Sequence, residues 1–532
     1  MARQFNIAGP NHPDWHYTVP VLERLPEVMR LVEARLWFVL HAPRQSGKTT
    51  AMQVLAEALT ATGRYAALYA TCEEGAAFRD DPAAASRVLV GNIVAQAQAA
   101  LAPALQPPAI AGAGVEGREV AALLSAWCAA CPLPVVLLLD EIDALQDEAL
   151  ISVLRQLRGL YMQRNRGAAP STVALIGLRD VRDYKVLSGG SPHLGTASPF
   201  NVKARSLTLE AFTREEVAAL YAQHTAETGQ VFTDDAIDRA WTLTGGQPWL
   251  VNALAWELVF GLRFAETIDA PQIEVAKERL VLSRATHLDS LADKLNEPRV
   301  RAVIGPILAG AHLPMSVPLA DVEYCRDLGL ITQGSGPPAI ANPIYREVLP
   351  RELAYDLGLR MNGIESRRWA LPDGRLDLGG LLLAFVTFWK RNGEFMVRDQ
   401  RWPEAAHQLL LMAFLQRVVN GGGTIEREYG LGRGRIDLLI RWALRTDAWG
   451  AVLEHDDHAL ELKVWRDTSR GDVLAEGLEQ LDGYLDRLGP ASGTLVLFDA
   501  RSGAPTGEAW AERGHLATAT TPAGRLVRLL TL

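Results

Sequence analysis

The chain has 532 residues, of which 48% are hydrophobic and 22% charged; that suits several packed domains and excludes a disordered, collagen-like or coiled-coil chain. The net charge of -9, from 53 basic and 62 acidic residues, excludes holding nucleic acid by bulk positive charge but leaves a local DNA-binding groove open. Four cysteines exclude a disulfide scaffold, and Cys128 and Cys131 form a lone CxxC with no second pair at zinc-ligand spacing. Only seven of the basic residues are lysines, among them Lys48 and Lys463, so a lysine in a special context is worth weighing. The amino terminus lacks a basic region followed by a long apolar core, and the longest apolar runs, such as Leu378 to Trp389, fall short of a membrane span. The expectation is a soluble, cytoplasmic protein with no membrane partner.

In chain order, Trp37 to His41 reads as a short strand leading through Ala42-Pro43-Arg44-Gln45-Ser46-Gly47-Lys48-Thr49-Thr50 into a helix from Met52. A second strand over Tyr65–Tyr69 is followed by an Ala/Pro-rich, partly helical stretch to about 120. Buried strands are predicted over 134–139 and 171–176, with a helix over 150–161 between them. This alternation describes an α/β domain on a parallel sheet, ending near 205. From 213 to about 290 the pattern is helical, broken at Thr244-Gly-Gly-Gln-Pro248. Residues 297–350 contain helices and two candidate short strands at 328–332 and 338–341, an order that suggests a winged helix. A polar boundary near 361–375 precedes a helix over 402–419, strands near 425–429, 434–441, 449–455 and 459–465, a helix over 474–488 and a strand over 494–498. That makes a second α/β domain with a mixed sheet. The expected boundaries are a core over 1–205, a helical lid over 206–290, a winged helix over 291–357, connecting helices over 358–400 and a final domain over 401–532.

The loop Ala42 to Thr49 has the spacing of a phosphate-binding P-loop, with Ala42 where the general motif has Gly. Its backbone N–H groups would cradle phosphate, Lys48 would reach the β- and γ-phosphates, and Thr49 would ligate Mg²⁺. An ordinary Gly-rich turn is the alternative, and Asp140-Glu141 argues against it. These residues end an apolar strand about 90 residues on, where Asp140 would hold the Mg²⁺ water shell and Glu141 would orient the attacking water. Arg179 is a candidate γ-phosphate sensor, with an ion pair to Asp180 the alternative. Arg155 and Arg158 are candidates for an arginine finger serving a neighbouring subunit.

The segments 42–50, Leu138-Leu-Asp-Glu-Ile-Asp143, Thr244-Gly-Gly-Gln-Pro-Trp-Leu-Val-Asn252, Leu328-Gly-Leu-Ile and Ala341-Asn-Pro-Ile-Tyr-Arg346 together resemble the bacterial AAA-like ATPases related to the STAND signalling ATPases. The resemblance implies ATP as ligand, a nucleotide-driven switch or homo-oligomeric assembly, Pro248 packing near the adenine, and a winged helix closing over the nucleotide.

In Leu460-Glu461-Leu462-Lys463-Val464 the alternation places Glu461 and Lys463 on one face of a strand, and Asp437 lies in a second strand amid apolar neighbours. Two carboxylates and a lysine suit Mg²⁺-assisted phosphodiester hydrolysis; a half-exposed, merely charged sheet face is the alternative. Arg427, Arg433, Arg435 and Arg441 cluster around Asp437 and are candidates for phosphate contacts, or are solvated surface arginines. The whole stretch from Glu404 through Gly477-Leu-Glu-Gln-Leu-Asp-Gly-Tyr-Leu485 to Asp499 resembles PD-(D/E)xK (restriction-endonuclease-like) nuclease domains fused to AAA-like ATPases. That likeness implies that Asp437 and Glu461 bind metal, Lys463 assists the water, Glu404 completes the site, and Gln480 and Tyr484 line the substrate side. Ala500-Arg501 stands where related domains often carry a second arginine. The expectation is an ATPase that controls a Mg²⁺-dependent nuclease acting on DNA; its rival is a nucleotide-switched scaffold that binds nucleic acid or a partner without cutting.

Overall fold

The computed structural model describes residues 3–109, 117–166, 169–178, 205–283, 294–295, 297–308, 313–334, 336–353, 369–398, 407, 411–412, 414–415, 423–431, 434–449, 452–467, 469, 471–489 and 492–532. These divide into two compact units. The first comprises Met1–Phe232, Gly245–Thr267 and Arg326–Gly329; the second comprises Thr233–Thr244, Ile268–Cys325 and Leu330–Leu532.

The first unit is built on five parallel strands, β1 (Phe38–His41), β2 (Ala66–Thr71), β3 (Val135–Asp140), β4 (Thr172–Gly177) and β5 (Arg205–Thr208), in the order β2-β3-β4-β1-β5. The near-continuous apolar strands predicted from sequence are buried on both faces, as parallel strands with helices on each side must be. Val39, Leu137, Leu139, Val173 and Leu175 pack against α3 (Pro82–Ala100), α4 (Glu119–Ala130) and α5 (Asp147–Gln163). Phe38, Leu40, Val136, Leu138, Ala174 and Ile176 pack on the other face against α1 (Pro26–Glu33) and α2 (Lys48–Ala61). The stretch that resists placement from sequence, 75–120, thus supplies α3 and the approach to α4. This is a P-loop α/β architecture, with the loop between β1 and α2 at the carboxyl ends of the strands, where ligands of open α/β sheets bind.

Helices α6 (Arg214–Thr228) and α8 (Pro248–Trp256) also belong to this unit, whereas α7 (Asp234–Thr244) belongs to the second. The predicted break at 244–248 is real: Gly245 and Gly246 take positive φ of 58° and 73°, and α8 restarts at Pro248 with Gln247 as its cap. A Cβ at Gly246 would lie 2.0 Å from the Phe212 carbonyl oxygen, so only glycine fits there.

In the second unit, α9 (Ala270–Ser283), α10 (Pro298–Leu308), α11 (Leu319–Asp327) and α12 (Pro343–Leu353) precede a long α13 (Leu378–Arg398). The two short strands expected of a wing contract to one antiparallel bridge, Ile331 with Ile340. Lys277 on α9 is buried beside Glu278 and Glu347, at 2.6 and 3.0 Å, which neutralises its charge. A mixed six-stranded sheet follows, β6 (Gly423–Leu431), β7 (Gly434–Thr446), β8 (Val452–Trp465), β9 (Ser492–Asp499), β10 (His515–Thr520) and β11 (Leu526–Thr531), in the order β10-β11-β9-β8-β7-β6. The expected pair of strands at 449–455 and 459–465 is a single strand, because β8 stays paired with β7 from Val452 to Leu460 past a bulge. The β10–β11 hairpin is absent from the sequence prediction; β10, His-Leu-Ala-Thr-Ala-Thr, alternates small and polar residues, and β11, Leu-Val-Arg-Leu-Leu-Thr, has Arg528 in the middle of its apolar run. The parallel pair β8–β9 needs a crossover, which α14 (Val473–Leu488) provides.

Candidate functional site

At the first site, β1 ends at His41 and the chain turns through Gln45 and Gly47, at φ of 57° and 89°, into α2, which begins at Lys48. Ala42 does not have positive φ and its methyl is buried in the core under α2, so the loop does not need glycine at its first position. Lys48 Nζ donates to the Ala42 and Pro43 carbonyls at 2.6 and 2.7 Å, and burial pulls its pKa down to about 8. Ser46 Oγ closes the loop onto the Pro43 carbonyl, 2.8 Å; Arg44 is exposed.

Thr49 Oγ1 donates to Asp140 Oδ2 at 2.7 Å, which brings the helix start to the end of β3. A hydroxyl and a buried carboxylate side by side are the hard oxygen donors that Mg²⁺ takes, so the residues present fit that ion. Glu141, next to Asp140, sits in the left-handed region at φ 54° and ψ 39°, a conformation that costs a non-glycine residue about 1 kcal/mol or more. Its N–H donates to Asp140 Oδ1, 2.8 Å, and its carboxylate accepts from Thr71 Oγ1 at 3.1 Å. Desolvation and the surrounding carboxylates of Glu73, Asp140 and Asp143 raise its pKa. Tyr69 also donates to Asp140, at 3.1 Å. Sequence reasoning missed Tyr69 and Thr71; their alternation at the carboxyl end of the strand before the acidic pair was the available signal.

Beside the loop lies a cavity of about 130 Å³ lined by Ile7, Asn11, Val19, Val21, Phe212 and Trp249, with Gln45–Gly47, Thr50 and Pro248 on its rim. The segment 4–18 is tied around it. Asn11 N–H donates to Thr50 Oγ1 (2.9 Å), Trp249 Nε1 to the Ile7 carbonyl (2.8 Å), and Asn6 N–H to Asn252 Oδ1 (3.2 Å). Gln247 Nε2 meets the Gln45 carbonyl at 3.4 Å. Pro248 is thus beside the loop, and the segment 4–18 is a second element that sequence reasoning did not assign. Arg155 and Arg158 are exposed on α5; Arg179 lies outside the described residues.

At the second site, β7 and β8 pair with Leu438 opposite Leu460, which sets Asp437 beside Glu461. Asp437 Oδ2 accepts from Leu462 N–H at 2.8 Å. Glu461 is 2% exposed, its Oε2 has no hydrogen-bond partner, and burial together with the Asp437 charge pushes its pKa up to about 7. Lys463 Nζ lies 3.0 Å from Glu461 Oε1 and 2.6 Å from Gln480 Oε1 on α14, with Glu476 at 3.7 Å. Gly477 allows this approach, since a Cβ there would lie 3.2 Å from Lys463 Cγ and 2.7 Å from Leu495 Cδ1. Tyr484 is buried in the small core with Ala459, Leu481 and Leu495, beneath the pair rather than open to solvent. A bare carboxylate oxygen beside a second carboxylate fits a divalent metal. Among the described residues no group of three or more His, Cys, Asp or Glu side chains is placed to hold a metal ion together; Glu404 and Arg433 lie outside those residues, as do the side chains of Arg427 and Arg435. Arg441 is 3.7 Å from Asp457. Arg501 pairs with Asp499 at 2.7 Å and covers Trp465.

No protein-family model and no curated protein matches the sequence. Solved structures do overlay on it. A Walker-type ATPase of Pyrococcus abyssi is 15% identical, with a TM-score of 0.47, covering 65% of this chain and 99% of its own. Cdc6p of Pyrobaculum aerophilum is 12% identical, with a TM-score of 0.38, over 64% and 96%. The RuvB Holliday junction branch migration motor of Thermotoga maritima is 13% identical, with a TM-score of 0.30, over 60% and 90%. At such identities and scores these likenesses carry nothing about the activity of this chain. Among the described residues no helix is long and apolar enough to cross a membrane.

Proposed function

We propose that the chain is an ATP-binding and ATP-hydrolysing protein that controls a Mg²⁺-dependent nuclease in its carboxyl-terminal part, acting on DNA. The observation that carries the first half is the junction of Lys48, Thr49, Asp140 and Glu141 at the carboxyl edge of a parallel sheet, with Thr49 and Asp140 2.7 Å apart. Lys48 binds the β- and γ-phosphates, Thr49 and Asp140 hold Mg²⁺, and Glu141 takes up the proton of the attacking water. Mg²⁺, when bound, offsets the charge on the transferring phosphoryl group. Arg179, Arg155 and Arg158 remain candidates for the γ-phosphate side, the latter two across a homo-oligomer.

The second half rests on Lys463, held between Glu461 and Gln480, with Asp437 on the neighbouring strand. In this reading Asp437 and Glu461 hold the metal, Lys463 positions the water against a phosphodiester, Glu404 completes the site, and Arg435 and Gln480 meet the substrate. The metal, when bound, lowers the pKa of its water and polarises the phosphate. Purified protein then degrades DNA with Mg²⁺ or Mn²⁺, and Asp437→Ala or Lys463→Ala abolishes this while ATP turnover persists. DNA left intact by wild-type protein under all nucleotide conditions sinks the nuclease. That outcome favours the scaffold reading, for which the burial of Tyr484 speaks, as does the lack, among the described residues, of three or more His, Cys, Asp or Glu side chains placed to hold a metal.

A further inference from the structure

Tyr69 reaches the first site from a strand that belongs neither to the P-loop nor to the acidic pair. β2 and β3 run parallel with Tyr69 opposite Leu138 and Thr71 opposite Asp140, and the Cys72 N–H donates to the Asp140 carbonyl at 2.8 Å, so the carboxyl ends of the two strands are locked together. The Tyr69 ring packs on the core beneath α1 and α2, and its hydroxyl donates to Asp140 Oδ2 at 3.1 Å. Asp140 is 1% exposed, and its carboxylate is held by neutral donors on both oxygens. Thr49 Oγ1 donates to Oδ2 at 2.7 Å, beside Tyr69, and the Glu141 N–H donates to Oδ1 at 2.8 Å. Hydrogen bonds of this kind orient a metal-holding carboxylate.

An ionised carboxylate has about four acceptor positions, two on each oxygen. On Asp140, Oδ2 receives both Thr49 and Tyr69 and is filled, whereas Oδ1 receives the Glu141 N–H and keeps a position open. Without the Tyr69 hydroxyl both oxygens would have room. The two cases suit different cations. Mg²⁺ gives up its waters reluctantly and is held through few carboxylate oxygens, whereas Ca²⁺ takes roughly six to eight oxygens and readily accepts both oxygens of one carboxylate. We propose that Tyr69 is a positioning residue for the divalent cation: it fills Asp140 Oδ2, leaves Oδ1 as the oxygen with room for the water shell of the cation, and so favours Mg²⁺ over Ca²⁺, a role that depends on the first site holding a Mg²⁺–nucleotide complex.

The test titrates the full chain calorimetrically with the non-hydrolysable β,γ-imido analogue of ATP in EDTA, in Mg²⁺ and in Ca²⁺, so that binding is read without turnover. Wild-type protein is expected to bind the Mg²⁺ complex about tenfold more tightly than the Ca²⁺ complex. In Tyr69→Phe, which keeps the ring, affinity for the metal-free nucleotide stays at the wild-type value, the Mg²⁺ complex weakens about tenfold and the Ca²⁺ complex does not. In an Asp140→Asn background Tyr69→Phe no longer alters the Mg²⁺-to-Ca²⁺ ratio, as a residue acting through that carboxylate requires. Should Tyr69→Phe not fold, Tyr69→Met, a flexible apolar side chain that fills the same space without a hydroxyl, takes its place in both backgrounds. Equal wild-type affinity for the two metal complexes overturns the role of Tyr69 and needs no variant. An unchanged ratio in the folded variant, an equal loss for all three ligands, or a ratio that still falls in the Asp140→Asn background overturns it too, and each of these leaves the nucleotide site standing. Failure of wild-type protein to bind any of the three ligands refutes the nucleotide site itself.

Discussion

Lys48 and Glu461 have environments that move their protonation toward neutral pH, in opposite senses. Burial lowers the Lys48 pKa to about 8, whereas phosphate beside it favours the ammonium form. ATP binding near pH 8.5 is therefore accompanied by proton uptake, and affinity falls as the pH rises through 8. Titration in two buffers of different ionisation enthalpy gives different apparent heats if this holds; identical heats would falsify it. Glu461 has its pKa raised to about 7, so the native chain keeps a proton that the unfolded chain loses near pH 4.5. Its contribution to stability is present below the unfolded value and is lost as pH rises through 7. A divalent cation bound by Glu461 and Asp437 reverses that trend. Mg²⁺ or Mn²⁺ should raise the melting temperature of Asp140→Asn, which removes the cation-holding carboxylate of the first site, more at pH 8 than at pH 5.5; an equal shift at both values counts against metal binding here. Lys48, Asp140, Glu461 and Lys463 were all legible in the sequence, because each sits in a short pattern set by one loop or one strand. Thr71 and Tyr69 were not, since Glu141 and Asp140 come from a strand tens of residues away, and neither was Asn11, which reaches the loop through Thr50.

Among elements, parallel strands with buried faces announced themselves through apolar runs, whereas β8 was read as two pieces because its first half is polar on both faces. The turn at Gly329 shows what local patterns omit. This residue has φ of 73°, and a Cβ on it would lie 2.8 Å from Pro43 Cβ and Cγ in the P-loop. The turn at Gly329 therefore meets the loop through a glycine that no side chain can replace without displacing Pro43 or straining the backbone. Gly329→Val, which touches no phosphate, should weaken ATP binding by roughly tenfold. Unchanged affinity in a folded variant would show that the loop tolerates the push.

At the scale of the whole molecule, control of one activity by the other has a direct readout. Lys48→Ala should change the rate of DNA cleavage with ATP present, although Lys48 belongs to the first unit and Asp437 and Lys463 to the second. Cleavage identical in this variant and in wild-type protein, with and without ATP, would mean two activities that merely share a chain. The path of the backbone bears on how such units are studied. The chain passes from one unit to the other after Phe232, Thr244, Thr267, Cys325 and Gly329, so the units are interlaced rather than strung in series. A protease that nicks the chain at one of these crossings should leave a single particle on native gel filtration and two fragments only in denaturant. By the same token, no boundary drawn once along the sequence separates the units: residues 1–329 hold all of the first together with parts of the second, and residues 233–532 hold all of the second together with parts of the first.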